Sequence, residues 1–234
     1  MTATDTPQAL PPSRQERGSS ADIVFDGLVQ GLYEGRYAPG QRLAEVDLTT
    51  TYGVSRGSVR EALNRLAAAG IITLNLHRGA QIRSLTRSDV ASILDVLELM
   101  IGLAGRLAAR RIDEGDNRAA FEAVTTGLLD YRGATGSFNY LRTRNRFYRI
   151  LVDIGGNLEL ARTLRSIQVH LIRVQLRSDR IEATRSMDYR AISKAVLAGD
   201  EAAAERACRR HVQHVAKAIR ELSDHAFAVE TNGA

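Results

Sequence analysis

The sequence predicts a mainly α-helical protein of two domains, with one small β-hairpin in the first. Apolar residues recur at helical spacing along much of the 234-residue chain, most clearly between Val90 and Ala108, where one apolar stripe continues for about five turns. Two segments have the short apolar composition of strands, residues 71–76 (IITLNL) and 80–85 (AQIRSL), and both precede that stripe. We therefore expect helices with a hairpin in the first domain and helices alone in the second.

The helices of the first domain follow from local sequence features. Apolar residues four apart predict a helix over residues 20–35, which the turn APG at 38–40 ends. A short helix is expected over residues 45–52, although its three consecutive threonines are poor helix formers. Gly53 then breaks the chain, and Ser55 is a good N-cap for a third helix, which Gly70 is expected to end.

The two strands follow this third helix and enclose the polar turn His77-Arg78-Gly79. Three helices followed by a β-hairpin wing is the order of a winged helix-turn-helix. We assign it to residues 20–84, after a disordered tail over residues 1–19.

The second domain is predicted to be an all-α antiparallel helical bundle over residues 85–226. Its first helix carries the long apolar stripe, and a short disordered tail is expected over residues 227–234. Glycines punctuate the remaining helices, which are expected at 117–132, 137–154, 157–179, 182–198 and 201–224.

Composition limits the classes of protein that this chain can belong to. The single cysteine, Cys208, excludes a disulfide framework and fits a reducing cytoplasm, where it would be a small buried residue. No apolar run approaches the ~20 residues of a membrane span, so neither a membrane location nor a membrane partner is expected. The net charge of +5 permits an anionic partner, and residues 53–83 hold five arginines against one acid.

The third helix has the composition of a DNA recognition helix. In a helix-turn-helix the start of this helix enters the major groove, where short hydroxyls allow close approach and arginine can bind guanine. Arg56 and Arg60 lie four residues apart on one face, while Val59, Leu63 and Leu66 point to the core. A second arginine-rich stretch, residues 132–180, is interpreted as a solvated face of the bundle.

These residues also resemble a known family. The run PGQRLAEVDLTTTYGVSRGSVREALNRLAAAGII, followed by RGAQI, is similar to the GntR family of bacterial transcriptional regulators over residues 22–84, and the helical half resembles its FadR-like branch with an FCD effector domain. The resemblance implies a homodimer that binds palindromic double-stranded operator DNA, usually as a repressor, and responds to a small carboxylate. By it the DNA-binding residues would be Arg42, Ser55, Arg56, Gly57, Ser58, Arg60, His77, Arg78 and Gly79. Some members have an arginine where this chain has Val46.

Many FCD domains hold a divalent metal through an acid or amide and three histidines, and this chain departs from that pattern. The corresponding positions carry Arg144, Tyr148 and Tyr189, and only the last histidine, His211, remains. An arginine and two tyrosines cannot replace an acid and two imidazoles as ordinary ligands. We therefore expect no metal and no other cofactor.

The replacements indicate a metal-free site for an organic acid. Arg144 could offer its guanidinium to a carboxylate, and Tyr148, Tyr189 and His211 could add hydrogen bonds. Leu97 and Ile101, where relatives often have arginine and glutamate, make the site more apolar, so a hydrophobic or aromatic acid is expected. The alternative is a collapsed site, with both tyrosines in the core and Arg144 turned to solvent.

These features leave three candidate functions for the chain. The first is a ligand-responsive, DNA-binding regulator; the second is an architectural DNA-binding protein whose helical half binds no effector. The third is an enzyme with a nucleic-acid-binding appendage, which is disfavoured because the sequence contains no nucleophile elbow, phosphate-binding loop or zinc-protease motif.

Overall fold

A computed structural model describes residues 19–75, 79–132, 137–166, 172, 175–176 and 179–229. These residues form nine α-helices and a short 3-10 helix at Asp224–Ala226. The α-helices are α1 (Ser20–Glu34), α2 (Glu45–Tyr52), α3 (Arg56–Ala68), α4 (Arg87–Arg110), α5 (Asn117–Leu129), α6 (Phe138–Gly155), α7 (Leu158–Ser166), α8 (Asp179–Leu197) and α9 (Glu201–Arg220). The predicted fold class, a winged helix-turn-helix followed by a helical bundle, is confirmed.

The sheet of the first domain has one strand more than the predicted hairpin. Strands β2 (Ile72–Asn75) and β3 (Gly79–Ile82) are antiparallel neighbours, and β1 (Arg42–Leu43) pairs with the other edge of β3. Two residues are too short to show strand periodicity. The strand β1 forms because its backbone pairs with β3, which lies far away in the sequence. Arg42 is opposite Gln81 in this pair.

The turn between α2 and α3 is capped as the sequence indicated, whereas the C-cap of α1 is Gly35, before the APG turn, and the C-cap of α3 is Ala69, one residue before the expected Gly70. The Ser55 side chain accepts a hydrogen bond from the Ser58 amide at the start of α3. Gly53 ends α2 with a φ of 63°, a left-handed conformation in which a Cβ is disfavoured. Together they turn the chain between α2 and α3 and fix where α3 begins.

In the second domain, α4 packs closely against α9. The approach depends on two glycines of α4, because a Cβ on Gly105 would lie 2.5 Å from the Cys208 Sγ and one on Gly102 would lie 2.6 Å from the Arg209 Cγ. Cys208 is fully buried, as expected, and burial raises the pKa of its thiol to about 12. The thiol is therefore a packing group.

Gly105→Val is expected to destabilise the protein by about 1–3 kcal/mol, because the added side chain overpacks the contact between α4 and α9. Gly127→Ala is the matched control, since a Cβ at this helical glycine would meet no atom within 4 Å. It should leave stability unchanged or raise it by up to about 1 kcal/mol. Urea denaturation measures both, and equal stabilities for the two variants would contradict the packing described.

The region between α6 and α8 differs from its prediction. A single helix was expected over residues 157–179; α7 covers Leu158–Ser166, Ile172 and Gln175 are helical, and Leu176 lies in a bend, so the expected helix is interrupted before residue 179. The following helix starts at Asp179 rather than at residue 182. His170, which is expected from the sequence on the surface or on the dimer side, lies outside the described residues.

The link between the two domains is held by residues from the other end of the chain. The Leu85 amide donates to the Gln175 Oε1 at 2.8 Å, and the Leu85 carbonyl accepts from the Ala228 amide at 2.9 Å. The Arg87 guanidinium lies 4.2 Å from the centre of the Phe227 ring. Phe227 and Ala228, which the sequence placed in a disordered tail, therefore pack on the domain link. Within the described residues, no helix is long and apolar enough to cross a membrane.

Candidate nucleic-acid interface and ligand cavity

The start of α3 presents a polar, positively charged face. Ser55, Arg56, Gly57 and Arg60 are exposed and Ser58 is partly exposed, whereas the opposite face packs into the core through Val59, Ala62, Leu63 and Leu66. The first turn of α3 holds no acid. The positive end of the helix dipole and the arginines therefore act in the same direction, and both favour phosphate.

One acid of the preceding helix positions an arginine of this face. The Arg60 Nε donates to the Glu45 Oε2 at 2.9 Å, and 71% of the Arg60 side chain is exposed. Such an exposed pair contributes little to stability. It holds the Arg60 guanidinium beside α2, where it remains accessible to DNA.

The other predicted DNA contacts lie on the sheet. Arg42 is exposed on β1, and Gly79 begins β3 with a φ of 71°. His77 and Arg78, which should form the tip of the wing, lie outside the described residues. Val46, in place of the arginine of some relatives, is 60% exposed on α2.

A cavity of about 810 Å³ lies where the two domains meet. Five of the six residues predicted to bind an effector line it: Leu97, Ile101, Arg144, Tyr148 and His211. Arg144 is buried rather than turned to solvent, so the collapsed arrangement considered from the sequence does not describe this site.

Hydrogen bonds link the polar groups of the cavity into a chain. The Tyr148 hydroxyl lies 2.6 Å from the His211 Nε2 and 3.3 Å from the Tyr189 hydroxyl, and the His211 Nδ1 lies 3.0 Å from an oxygen of Asp188. A carboxylate only accepts hydrogen bonds, so the His211 Nδ1 donates to Asp188 and its Nε2 accepts from Tyr148. Tyr189 in turn donates to Tyr148. The direction of each bond is thus set by Asp188.

Burial and charge keep His211 neutral. Burial lowers the pKa of His211, and the positive charges of Arg185 and Arg144 lower it further, while Asp188 only partly offsets them. Burial alone would raise the pKa of Asp188, but its hydrogen bonds to His211 and His214 outweigh that effect and lower it. The neutral imidazole of His211 therefore lies next to the ionised carboxylate of Asp188.

The depressed pKa of His211 predicts a loss of stability in mild acid. The unfolded chain takes up a proton near the ordinary value of 6.5, while the folded chain does so only at lower pH. As the pH falls from 7.5 to 5.5, the unfolded state is therefore favoured, with a slope of up to about 1.4 kcal/mol per pH unit from this group. Urea denaturation at several pH values measures it.

The variant His211→Gln should have a shallower dependence of stability on pH than the wild type. His214→Gln is the matched control, since it removes the other imidazole bound to Asp188 but leaves the buried one. An unchanged slope in His211→Gln would show that a different group titrates.

The structure places Tyr189 differently from the other predicted site residues. It is buried and lies behind the cavity wall, where it reaches the site through the hydroxyl of Tyr148. Two residues of α8 were missed from the sequence: Arg185, which lines the cavity, and Asp188, which orients His211. Arg185 lies three residues before Asp188 and four before Tyr189. Residues three and four apart share a helix face, so this spacing could have indicated a polar edge of α8.

The donor set of the cavity does not fit a divalent metal. Arg144 stands where relatives have an acid, and both nitrogens of His211 already have hydrogen-bond partners. Within the described part of the chain, no group of three or more histidine, cysteine, aspartate or glutamate residues is arranged to hold a metal ion.

Two family models match separate parts of the chain. The model of the bacterial regulatory proteins of the gntR family matches residues 21–82, and the FCD domain model matches residues 92–214. A probable D-xylose utilization operon transcriptional repressor from Paenarthrobacter nicotinovorans is 29% identical over 203 residues, which are 85% of this chain and 88% of the relative.

One further sequence relative and one solved structure also match this chain. The Nta operon transcriptional regulator of Aminobacter aminovorans is 30% identical over 156 residues, 65% of this chain and 67% of the relative. The crystal structure of a GntR protein from Rhodococcus sp. RHA1 has a TM-score of 0.69 at 24% identity, over 87% of this chain and 98% of that one, and so shares the fold.

Proposed function

The chain belongs to the GntR family of bacterial regulatory proteins and carries an FCD domain, so it is a DNA-binding transcriptional regulator with an effector domain. From this premise we propose that it is a homodimeric repressor that binds a palindromic operator. We further propose that a hydrophobic or aromatic carboxylate controls operator binding, and that it does so without a metal.

The observation that carries the proposal is the composition of the cavity. Five arginines line it against one acid, Asp153; they are Arg65, Arg144, Arg149, Arg162 and Arg185. The remaining lining is largely apolar, including Leu97 and Ile101 of α4. A cavity of about 810 Å³ is within the usual range of about 300–1,000 Å³ for small-molecule sites. Arg65 and Arg162 pair with Asp22 and Glu159, so the positive charge that favours an organic anion with an apolar body comes from the other three arginines.

Buried arginines favour a carboxylate held directly by protein groups, because each proton of the Tyr189–Tyr148–His211 chain is already donated within the chain. A buried guanidinium binds a carboxylate through two parallel hydrogen bonds, and Arg144 is almost completely buried beside Tyr148 and His211. A carboxylate in this cavity needs a positive charge to compensate for its loss of water. Here Arg144 and Arg185 would supply it.

The homodimer is supported by family membership and by apolar side chains on the surface. Val96 and Leu99 are three residues apart on α4, and both are at least half exposed. A second copy of the chain could cover them. This assignment is tested by sedimentation of the protein with and without DNA.

The experiment begins with selection of a DNA site from a pool of random duplexes by the full-length protein. The recovered sites should have two-fold symmetry and bind two chains. Benzoate and biphenyl-4-carboxylate are then tested by calorimetry and thermal unfolding in the presence of EDTA, with the corresponding amides as uncharged controls. At least one acid should bind, raise the unfolding temperature and weaken binding to the selected site, while its amide should not.

Two outcomes would contradict the proposal. A response that appears only after a divalent metal is added would overturn the metal-free site. No response to either acid would favour the architectural protein, whose helical domain binds no effector.

A further inference from the structure

We propose that the effector is itself the contact between the two domains. Its carboxylate would bind at Arg144 and Arg185, and its apolar end would press on the carboxyl end of the recognition helix α3. This inference rests on the proposed function and adds how the signal would reach the DNA.

The cavity is built from both domains. Its lining from the DNA-binding domain consists of Phe25 of α1, Arg65 and Ala68 of α3, and Ala69 and Ile71 just after it. The effector domain contributes the rest, from α4, α6, α7 and α9, together with Ile172 and with Arg185 of α8. A molecule that fills the cavity would therefore touch the recognition helix directly.

The two parts of the wall differ in chemistry. Arg144 and Arg185 are both close enough to His211 to lower the pKa of its imidazole, so two buried positive charges converge on one place. The wall from the DNA-binding domain is apolar apart from Arg65. The Arg65 guanidinium is already held by Asp22 at 2.6 Å and lies 5.0 Å from the centre of the Phe25 ring. The acid group is thus attracted to the effector domain and the apolar body is left to face α3.

The helix α3 can carry a displacement from the cavity to the DNA. It has 13 residues and a length of about 20 Å, with Ala68 at one end and Arg56 at the other. Its carboxyl end is tied to the sheet, because the Ile71 amide donates to Leu66 and the Ile71 carbonyl accepts from Arg83. The helix and the sheet therefore move together.

The domain link supplies a fixed point for that movement. The backbone of Leu85 forms hydrogen bonds with the side chain of Gln175 and with the amide of Ala228. Gln175 and Ala228 both belong to the second domain. A ligand that pushes on Ala68 and Ala69 would turn the DNA-binding domain about this anchored link. In a dimer, such a turn changes the spacing of the two recognition helices, which must match the spacing of the half-sites.

The test separates binding from signalling by comparing a short and a long acid. Benzoate and biphenyl-4-carboxylate share a head group, but only the second has an additional ring to reach α3. We expect both to bind, and biphenyl-4-carboxylate to weaken affinity for the selected DNA site at least tenfold, with less than a twofold effect of benzoate at saturation.

The variant Ala68→Phe fills the part of the cavity next to α3. It should reduce the affinity for biphenyl-4-carboxylate at least tenfold and leave the affinity for benzoate within twofold. Ala120→Phe is the control, because Ala120 is exposed on α5 and does not line the cavity. Calorimetry gives the affinities, and DNA binding by fluorescence anisotropy gives the response.

The possible results distinguish failure of this inference from failure of the proposed function. If benzoate releases the DNA as well as biphenyl-4-carboxylate does, or if Ala68→Phe binds both acids like the wild type, the contact with α3 is not the signal. In that case regulation by an acid would still stand. If neither acid binds the wild type, the proposed function is overturned, and this inference with it.

Discussion

Arg144→Met is expected to weaken the binding of biphenyl-4-carboxylate by about 10- to 150-fold. A hydrogen bond to a charged group contributes about 1.5–3 kcal/mol, and each 1.4 kcal/mol changes an affinity tenfold. Arg144 is 1% exposed, and methionine retains much of the volume of its stem. Affinity for the selected DNA in the absence of acid should remain within twofold of the wild type. Calorimetry and DNA titration measure the two effects.

Arg142→Met is the matched control, since it removes the same charge from an exposed position two residues earlier in α6. A second measurement does not depend on any ligand. Because Arg144 helps to lower the pKa of His211, its removal should raise that pKa in an NMR titration. Equal acid affinities in Arg142→Met and Arg144→Met would show that general charge, rather than the buried guanidinium, attracts the acid.

Arg56→Ala and Arg60→Ala are each expected to weaken binding to the selected DNA by about 1–3 kcal/mol, which is the range for loss of a good base contact. Arg56→Ala should also relax the base preference at one position in each half-site. Neither change should unfold the protein, because both side chains are exposed. The affinities of each protein for the selected DNA site, and for sites with one base pair changed, measure both effects.

Arg118→Ala controls for the loss of one positive charge, since Arg118 lies on α5 and pairs with Asp113 at 2.6 Å. It should leave DNA affinity within twofold. The assignment of α3 as the recognition helix would be refuted if both variants bound the DNA like this control.

The DNA-binding half could be predicted closely because its determinants are local. The Ser55 cap, the left-handed Gly53 and the alternation of exposed arginines with buried Val59 and Leu63 lie within eleven consecutive residues. Each acts through bonds or packing within a turn or two of itself. The two-residue strand β1 was missed because its only support is β3, more than thirty residues away.

The cavity could be predicted only in part. The resemblance indicated Arg144, Tyr148 and His211, which line one cavity, and also Tyr189, which does not line it. Arg185 and Asp188 were missed because no motif marks them. Helical spacing could at most have placed them on one edge of α8, and their importance comes from how α8 packs against α9.

The sequence by itself determined the helical domains, the cap and charged face of α3, and the replacement of three expected metal-ligand positions by Arg144, Tyr148 and Tyr189. Those features are chemical identities and short-range patterns. Only the tertiary structure decided that Arg144 is buried, that Asp188 sets the direction of the hydrogen bonds, and that Ala68 and Ala69 complete the cavity. These depend on contacts between residues far apart in the chain, whose geometry is set by the packing of whole helices and by the anchored link at Leu85.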